Sequence, residues 1–294
     1  MSDPLPSLPP PAGSTHPNWG AEDLWEALLP LLPGLSIEVV ERLGSTNTEL
    51  IERLRGAARV QADGRGGRVD DLSPQLLVAT HQTAGRGRMG RPWHSTPGSS
   101  LTFSLALPLQ RSDWSGLSLA TGLAVADALD PDGDRIGLKW PNDLVVRTTD
   151  PAAGPGRKLG GILIESVVVG GQRAAVIGIG INVVGEPQIE ADYGVAALAE
   201  LWPGATPQAA LARLALPLAR TLVAFDRDGF APLQAAYARR DVLGGRAVRT
   251  TDAALPDGVA AGVDVDGALM LERDGQRHRV LSGEVSVRLA ADAG

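Results

Sequence analysis

The sequence predicts an α/β layer domain on a mixed sheet followed by a small all-β barrel, and three observations predict it. Between residues 37 and 183, short β-branched runs alternate with helical patterns. A long helix opening at Thr206-Pro207 follows, with Thr206 as its cap and Pro207 in its first turn. Beyond Leu243-Gly244-Gly245 the pattern changes to short strands punctuated by Asp257-Gly258, Asp266-Gly267 and Asp274-Gly275, each read as a turn signal.

Taken in order, the first twenty residues carry Pro4, Pro6, Pro9, Pro10, Pro11 and Pro17 and neither lysine nor arginine. Such a stretch cannot pack and lacks the basic start of a secretion signal, so it is expected to be disordered. A short amphipathic helix over Ala21 to Leu32, interrupted by Pro30 and Pro33, completes a first segment, 1–34. Ile37 to Leu43 reads as a strand. Thr46, with Glu49 three residues on, makes a capping-box pattern for the helix carrying Leu50, Ile51 and Leu54. Ser45, Thr46 and Asn47 then stand at a helix N-terminus, where hydroxyls and N–H donors suit a small polar ligand head; a plain N-cap explains Ser45 and Thr46 equally.

Gly56 to Pro74, rich in Gly, Arg and Asp, reads as a loop. Leu76 to Thr80 and Leu101 to Leu107 are strands, and Trp114 to Leu129 is a helix whose Ala, Gly and Leu content suits close packing on a sheet. Ile136 to Trp140 and Leu144 to Arg147 are strands around a Pro-Asn-Asp turn. Thr148 to Arg157, with Pro151, Gly154, Pro155 and Gly156, is expected to be a mobile flap. Leu159 to Val169 and Arg173 to Val183 form a hairpin around Gly170-Gly171. The long helix reaches about Arg227 with a kink expected at Pro217, and a shorter one ends at Arg240.

Composition removes several function classes. The chain has 294 residues and no cysteine, hence no disulfide framework, thiol nucleophile or thiolate metal site. His16, His81, His94 and His278 are scattered without ligand spacing, no metal-binding residues are expected, and no H-E-x-x-H, G-x-S-x-G or P-loop pattern occurs. A formal net charge of −7 opposes nonspecific binding to nucleic acid or to an anionic membrane, and a cytoplasmic location is expected.

Against that acidic background, residues 85 to 91 read Gly-Arg-Gly-Arg-Met-Gly-Arg. Glycines let backbone N–H groups approach a ligand, and the forks of Arg86, Arg88 and Arg91 match paired anionic oxygens. Gly85, Gly87 and Gly90 also fit G-x-G-x-x-G, but the following elements read as a strand, not the helix of a dinucleotide site. A kinase-type glycine loop fails too, since neither H-R-D nor D-F-G occurs. A solvated basic loop is the other reading of these seven residues, and alone they leave both open. The lysines weigh on the choice. Lys+Arg totals 27 with lysine only at Lys139 and Lys158, leaving 27 − 2 = 25 arginines. A compact ammonium reaches a single oxygen where a planar guanidinium would not fit.

Five motifs in order then resemble the biotin protein ligases over about residues 38 to 290: Gly44-Ser45-Thr46-Asn47; Gln82-Thr83-Ala84-Gly85-Arg86-Gly87-Arg88 with Arg91 and Trp93; Lys139-Trp140-Pro141-Asn142-Asp143; Lys158-Leu159-Gly160-Gly161-Ile162-Leu163; and Gly178-Ile179-Gly180-Ile181-Asn182. The resemblance implies a class II synthetase-like catalytic domain, α/β (α+β) with a mixed sheet, over 35–241, and an SH3-like C-terminal β-barrel over 242–294. It implies ATP with Mg²⁺ as cofactor and biotin as substrate. Biotin is activated as biotinyl-5′-adenylate, then passed to a lysine of a biotin carboxyl carrier domain of a carboxylase. It allows a homodimer. Many members carry a winged helix-turn-helix ahead of the ligase domain; too little chain precedes Ser45 for one, so neither a repressor role nor specific DNA binding is expected.

Carried over by motif, Ser45, Thr46, Asn47, Gln82 and the Gly85-Arg86-Gly87 backbone would recognise the biotin ureido ring and tail, with Gly161 allowing close approach. Trp93 would stack on adenine and Asn182 would bond its edge. Arg88 and Arg91 would hold phosphates, and Lys158 would bridge biotin carboxylate and α-phosphate. Asp143 would orient or deprotonate the carrier lysine, with Asn142 and Lys139 supporting the phosphate site. Lys158, Arg88 and Asp143 are thus the catalytic set. Buried tryptophans more often belong to a core, which weighs against Trp93 and Trp140. Met89 stands where the family often has a basic residue, and its side chain is expected to point away from ligand; Glu284 and Arg288 read as surface residues. Gly56 to Pro74 and the 148–157 flap are longer than usual in the family. A lipoate–protein ligase, or a non-catalytic biotin or nucleotide sensor, are the alternatives.

Overall fold

The computed structural model describes residues 18–62, 72–148, 154–185, 194–281 and 287–289. The elements run α1 (Ala21–Leu28), β1 (Ser36–Leu43), α2 (Thr46–Ala62), β2 (Gln75–Gln82), the two-residue strands β3 (Gly85–Arg86) and β4 (Pro92–Trp93), β5 (Ser100–Pro108) and α3 (Leu117–Leu129). Then come β6 (Ile136–Lys139), β7 (Asp143–Val146), β8 (Arg157–Val169), β9 (Gln172–Asn182), α4 (Pro207–Asp228) and α5 (Gln234–Arg240). The last five strands are β10 (Ala247–Thr250), β11 (Asp257–Val263), β12 (Leu269–Arg273), β13 (Gln276–Val280) and β14 (Val287–Leu289).

A seven-stranded sheet in the order β1-β2-β5-β9-β8-β7-β6 organises the larger part. Only β1 and β2 pair in parallel, so the sheet is mixed as expected. One face carries α2, where Leu50, Ile51 and Leu54 pack on Leu77, Ala106 and Val176. The other carries α3 and α4, and there Leu101, Phe103 and Leu105 join Leu123, Leu211 and Leu218 in the main core. Period-two alternation along β5 therefore sends Phe103 to one layer and Ser104 toward α2. α4 is the one described helix long and apolar enough to cross a membrane, yet Leu211, Leu214, Leu218, Leu222 and Phe225 are buried in this core.

Several boundaries differ from the sequence reading. Helix α2 runs past Gly56 to Ala62, because one glycine costs only about 1 kcal/mol and Ala57, Ala58 and Ala62 favour helix; residues 63–71 of the expected loop lie outside the described residues. Ser45, not Thr46, is the cap: Glu49 N–H donates to its carbonyl at 2.9 Å, and the Glu49 side chain pairs with Arg53 instead of closing a capping box. Helix α3 starts at Leu117, after Gly116 at φ 79°. Asp257-Gly258 opens strand β11 rather than a turn; a Cβ on Gly258 would meet the Glu272 carbonyl at 3.0 Å, so close strand approach explains that glycine. Arg157 already belongs to β8, and of the expected flap residues 149–153 lie outside the described residues. Gly170-Gly171 and Asp274-Gly275 do turn their hairpins, all four at positive φ.

The C-terminal strands form a five-stranded antiparallel sheet, β13-β12-β11-β10-β14. Val248, Leu269, Leu271 and Val280 continue the main core, Trp140 Nε1 donates to Gly267 O at 3.1 Å, and Lys139 Nζ donates to Val287 O at 2.8 Å. A buried cation on α5 ties that helix to the end of α3 and to β6 of the large sheet. Arg240, 4% exposed, pairs with Asp127 at 2.7 Å and Asp130 at 3.0 Å and donates to the Ile136 carbonyl at 2.9 Å. Burial works against the Asp130 charge, but hydrogen bonds from Ile136 N–H, Arg240 and Arg135 N–H outweigh it and hold its pKa below the usual value.

Removing one member of a buried pair strands the other, so Arg240→Met should destabilise the fold by about 3–5 kcal/mol in urea denaturation. Asp130 has its pKa lowered on folding. Its stabilisation is thus complete above the unfolded carboxylate pKa near 3.9 and is lost as pH falls through the lower folded value. The difference between wild type and variant should shrink in that acid window; a variant as stable as wild type at pH 7 would contradict the assignment.

Candidate active site

At one end of the large sheet, the C-terminal ends of β1, β2 and β6 meet the N-terminal ends of β7 and β8 around a cavity of about 680 Å³. Its inner part is polar and neutral. Ser45, Thr46 and Asn47 at the start of α2 face Gln82 from the end of β2, and all four side chains are buried. Gln82 Oε1 accepts from Thr46 N–H at 2.7 Å and lies 3.2 Å from Thr46 Oγ1, while Ser104 Oγ lies 2.6 Å from both Thr46 Oγ1 and Asn47 Oδ1. The wall opposite is glycine by necessity: a Cβ on Gly178 would sit 2.3 Å from Asn47 Oδ1, and one on Gly180 would sit 2.5 Å from the Trp93 ring.

The outer part is cationic. Arg86, Arg88 and Arg91 line it together with both lysines of the chain, Lys139 and Lys158, whereas Asp143 is the only carboxylate among the described lining residues. Lys158 Nζ lies 2.6 Å from Asp143 Oδ1. The β7–β8 register shifts between Leu144 and Val145, leaving Leu159 as an extra residue that re-aims the chain beside the site. Lys158 is pinned by its backbone as well: its N–H donates to Gly194 O at 3.0 Å, and its carbonyl accepts from Ala196 N–H at 2.9 Å and Asn182 Nδ2 at 3.2 Å. Gly161 faces this pair, its missing Cβ position 3.6 Å from Lys158 Nζ.

Arg88 approaches Asn142 Oδ1 at 3.5 Å, and Asn142 is itself fixed by donating to Ile162 O at 2.9 Å. Burial lowers the Arg88 pKa, Asp143 raises it, and the neighbouring Arg91 charge lowers it further. A guanidinium stays charged regardless, so this is a desolvated cation facing the cavity. The loop bends at Met89 (φ 56°) and Gly90 (φ 71°). Met89, 55% exposed, stands at the rim of the cavity.

Two sequence-derived candidates stand apart from the lining. Gly85 lies behind it, close to Trp93 O and Gln82 Nε2, where a Cβ would clash at 2.5 Å. Asn182, 1% exposed, sits beneath the wall with Oδ1 buried and lacking a hydrogen-bond partner, and Trp93 Nε1 is buried likewise. Trp140 is core, 1% exposed. Arg288, read from sequence as a surface residue, lines the cavity beside Val287; Glu284 lies outside the described residues. Sequence reasoning missed Ser104 and also Glu165, whose carboxylate holds Arg86 and Asn47. A serine inside the buried run Ser100–Pro108 was the one available signal for the former.

Residues 70–182 match the Biotin/lipoate A/B protein ligase family. Residues 244–288 match the Biotin protein ligase C terminal domain. A biotin--[acetyl-CoA-carboxylase] ligase of Mycobacterium tuberculosis is 34% identical over 261 residues, covering 85% of this chain and 88% of that protein. The chain belongs to the biotin protein ligases. The bifunctional ligase/repressor BirA of Escherichia coli is 32% identical over 273 residues, 90% of this chain and 77% of that one. A biotin protein ligase from Aquifex aeolicus, solved with biotin and ATP, superposes with a TM-score of 0.68 at 25% identity over 87% of this chain and 99% of that chain. The lipoate alternative loses ground here, since the C-terminal sheet matches a domain named for biotin protein ligases and fits the expected SH3-like barrel.

The close fit of Gly178 to Asn47 gives a test of the wall that needs no ligand. Gly178→Ala should cost about 1–3 kcal/mol by overpacking. In an Asn47→Ala background most of that cost should vanish, and urea denaturation of the four proteins reads the difference. Equal costs in both backgrounds would mean that Asn47 is not what the glycine makes room for.

Proposed function

We propose that this cavity joins biotin to ATP as biotinyl-5′-adenylate and then passes the biotinyl group to a lysine of a biotin carboxyl carrier domain of acetyl-CoA carboxylase. The observation that carries this reading is the placement of both lysines and three loop arginines at the mouth of a neutral polar pocket. A neutral heterocycle fits the inner part, and two anions, a carboxylate and a polyphosphate, need the outer one.

In this reading Ser45, Thr46, Asn47 and Gln82, with the Arg86-Gly87 backbone, hold the ureido ring, so that the carboxylate emerges beside Gly161 and Lys158. Lys158 then lies between that carboxylate and the α-phosphate, while Arg88 and Arg91 hold phosphate oxygens, with Asn142 and Lys139 in support. A carboxylate oxygen attacks the α-phosphorus, the bond to the β-phosphate breaks, and pyrophosphate leaves with its charge matched by these cations. The carrier's neutral lysine nitrogen next attacks the acyl carbon, AMP departs, and Asp143 takes or orients the proton lost.

The residues also suit the adenine. Asn182 Oδ1 is a buried acceptor lacking a partner, the complement of an exocyclic amine, and Trp93 seated on Gly180 offers a ring beside it. Among the described residues no group of three or more His, Asp or Glu side chains could cage a metal. Mg²⁺ would therefore arrive on the ATP phosphates, mostly water-coordinated, and neutralise charge there. Covalent catalysis is not required: positioning and electrostatic stabilisation supply the rate.

Lys158→Ala tests the assignment. Losing one preorganised charge contact commonly costs about 2.7–4 kcal/mol in the transition state, so pyrophosphate release should fall by about 10²–10³ while the melting temperature moves little. Near-normal release by the folded variant would overturn the role given to Lys158.

A further inference from the structure

Glu165 lies on β8 and is absent from the described cavity lining, yet it ties two parts of the site together. Its oxygens lie 2.9 and 3.0 Å from Arg86 Nη2, and Oε2 accepts from Asn47 Nδ2 at 2.9 Å. Asn47 Nδ2 also donates to the Leu163 carbonyl at 3.2 Å, so both amide hydrogens are engaged. That leaves Asn47 Oδ1, 3% exposed as a residue, fixed as an acceptor toward Ser104 Oγ at 2.6 Å.

Ser104 has one hydroxyl proton, and Asn47 Oδ1 takes it. Ser104 Oγ must then accept from Thr46 Oγ1, 2.6 Å away, a shorter approach than the 3.2 Å between that hydroxyl and Gln82 Oε1. The hydrogen bonds therefore run in one direction, from Thr46 to Ser104 to Asn47, and end on a carboxylate that can only accept. Thr46 Oγ1, its proton committed inward, is left to meet a ligand with lone pairs.

We propose that Glu165 is a positioning residue that sets the polarity of the pocket, making Thr46 an acceptor for an N–H donor of the bound heterocycle, and tethers the arginine loop to the same carboxylate through Arg86. The proposal rests on the reading of the cavity as a biotin site, where a ureido N–H is the donor concerned. Glutamine at this position brings a donor of its own: the Asn47 amide can turn over, the chain reverses, and Arg86 loses its charged partner.

The test is Glu165→Gln, with Ser104→Ala and the double variant alongside, all assayed for pyrophosphate release. Wild-type turnover with biotin and ATP establishes the underlying reading independently of any variant. KM for biotin should rise about tenfold or more in Glu165→Gln, while KM for ATP and kcat at saturating biotin stay within about twofold. Ser104→Ala cuts the same chain, so the double variant should be no worse than the weaker single variant. An unchanged KM for biotin, a fall confined to kcat, effects that multiply in the double variant, or loss of the folded state in Glu165→Gln would each overturn the proposal.

Discussion

One ion pair constrains the rest of this site: the Lys158 ammonium stands 2.6 Å from Asp143, the only carboxylate among the described lining residues of a cavity whose outer part is cationic. Lys158 reaches that point because a bulge in β8 re-aims its side chain, and it stays there because the 194–196 segment and Asn182 bond its backbone. Asp143 sits across from it as the first residue of β7, directly opposite Gly161 in the register. Neither residue could be moved to another strand without losing the pairing that fixes the other.

The same sheet keeps two unlike environments apart. Polar contacts join α2, β2 and β5 to one another and, through Asn47, to Leu163 and Glu165 of β8, which holds the inner pocket rigid. Among the loop cations Arg86 pairs with Glu165, whereas Arg88 is desolvated beside Arg91, with Asp143 as the opposing charge. A site poised in this way gains most when anionic charge develops inside it, which is the requirement of adenylate formation. The C-terminal sheet takes part through backbone and core, since Val287 O receives Lys139 Nζ and Gly267 O receives Trp140 Nε1.

What was legible in the sequence is what local chemistry determines. Gly170-Gly171, the Thr206-Pro207 start of α4 and the strand alternation are local signals, and they placed the hairpin, the helix and most of the sheet. The glycine–arginine run and the scarcity of lysine pointed to the outer cavity for the same reason: composition limits what those residues can be for. Ser104, Glu165 and Arg240 were not legible. Each is defined by partners distant in sequence, Ser104 by Asn47, Glu165 by Arg86 and Arg240 by Asp130, and no short pattern records such a meeting. Asp257-Gly258 misled because Asp-Gly marks a turn only when no neighbouring backbone needs the space.

The central claim is that one cavity makes the mixed anhydride before any carrier lysine is present. A rapid-quench measurement of pyrophosphate from the enzyme with biotin and ATP in excess, in the absence of carrier protein, tests this most directly. The account predicts a burst of about one pyrophosphate per site with adenylate retained. AMP and a biotinylated lysine should then appear when a biotin carboxyl carrier domain is added. A lack of pyrophosphate until the carrier arrives, or an equal burst with lipoate in place of biotin, would contradict it.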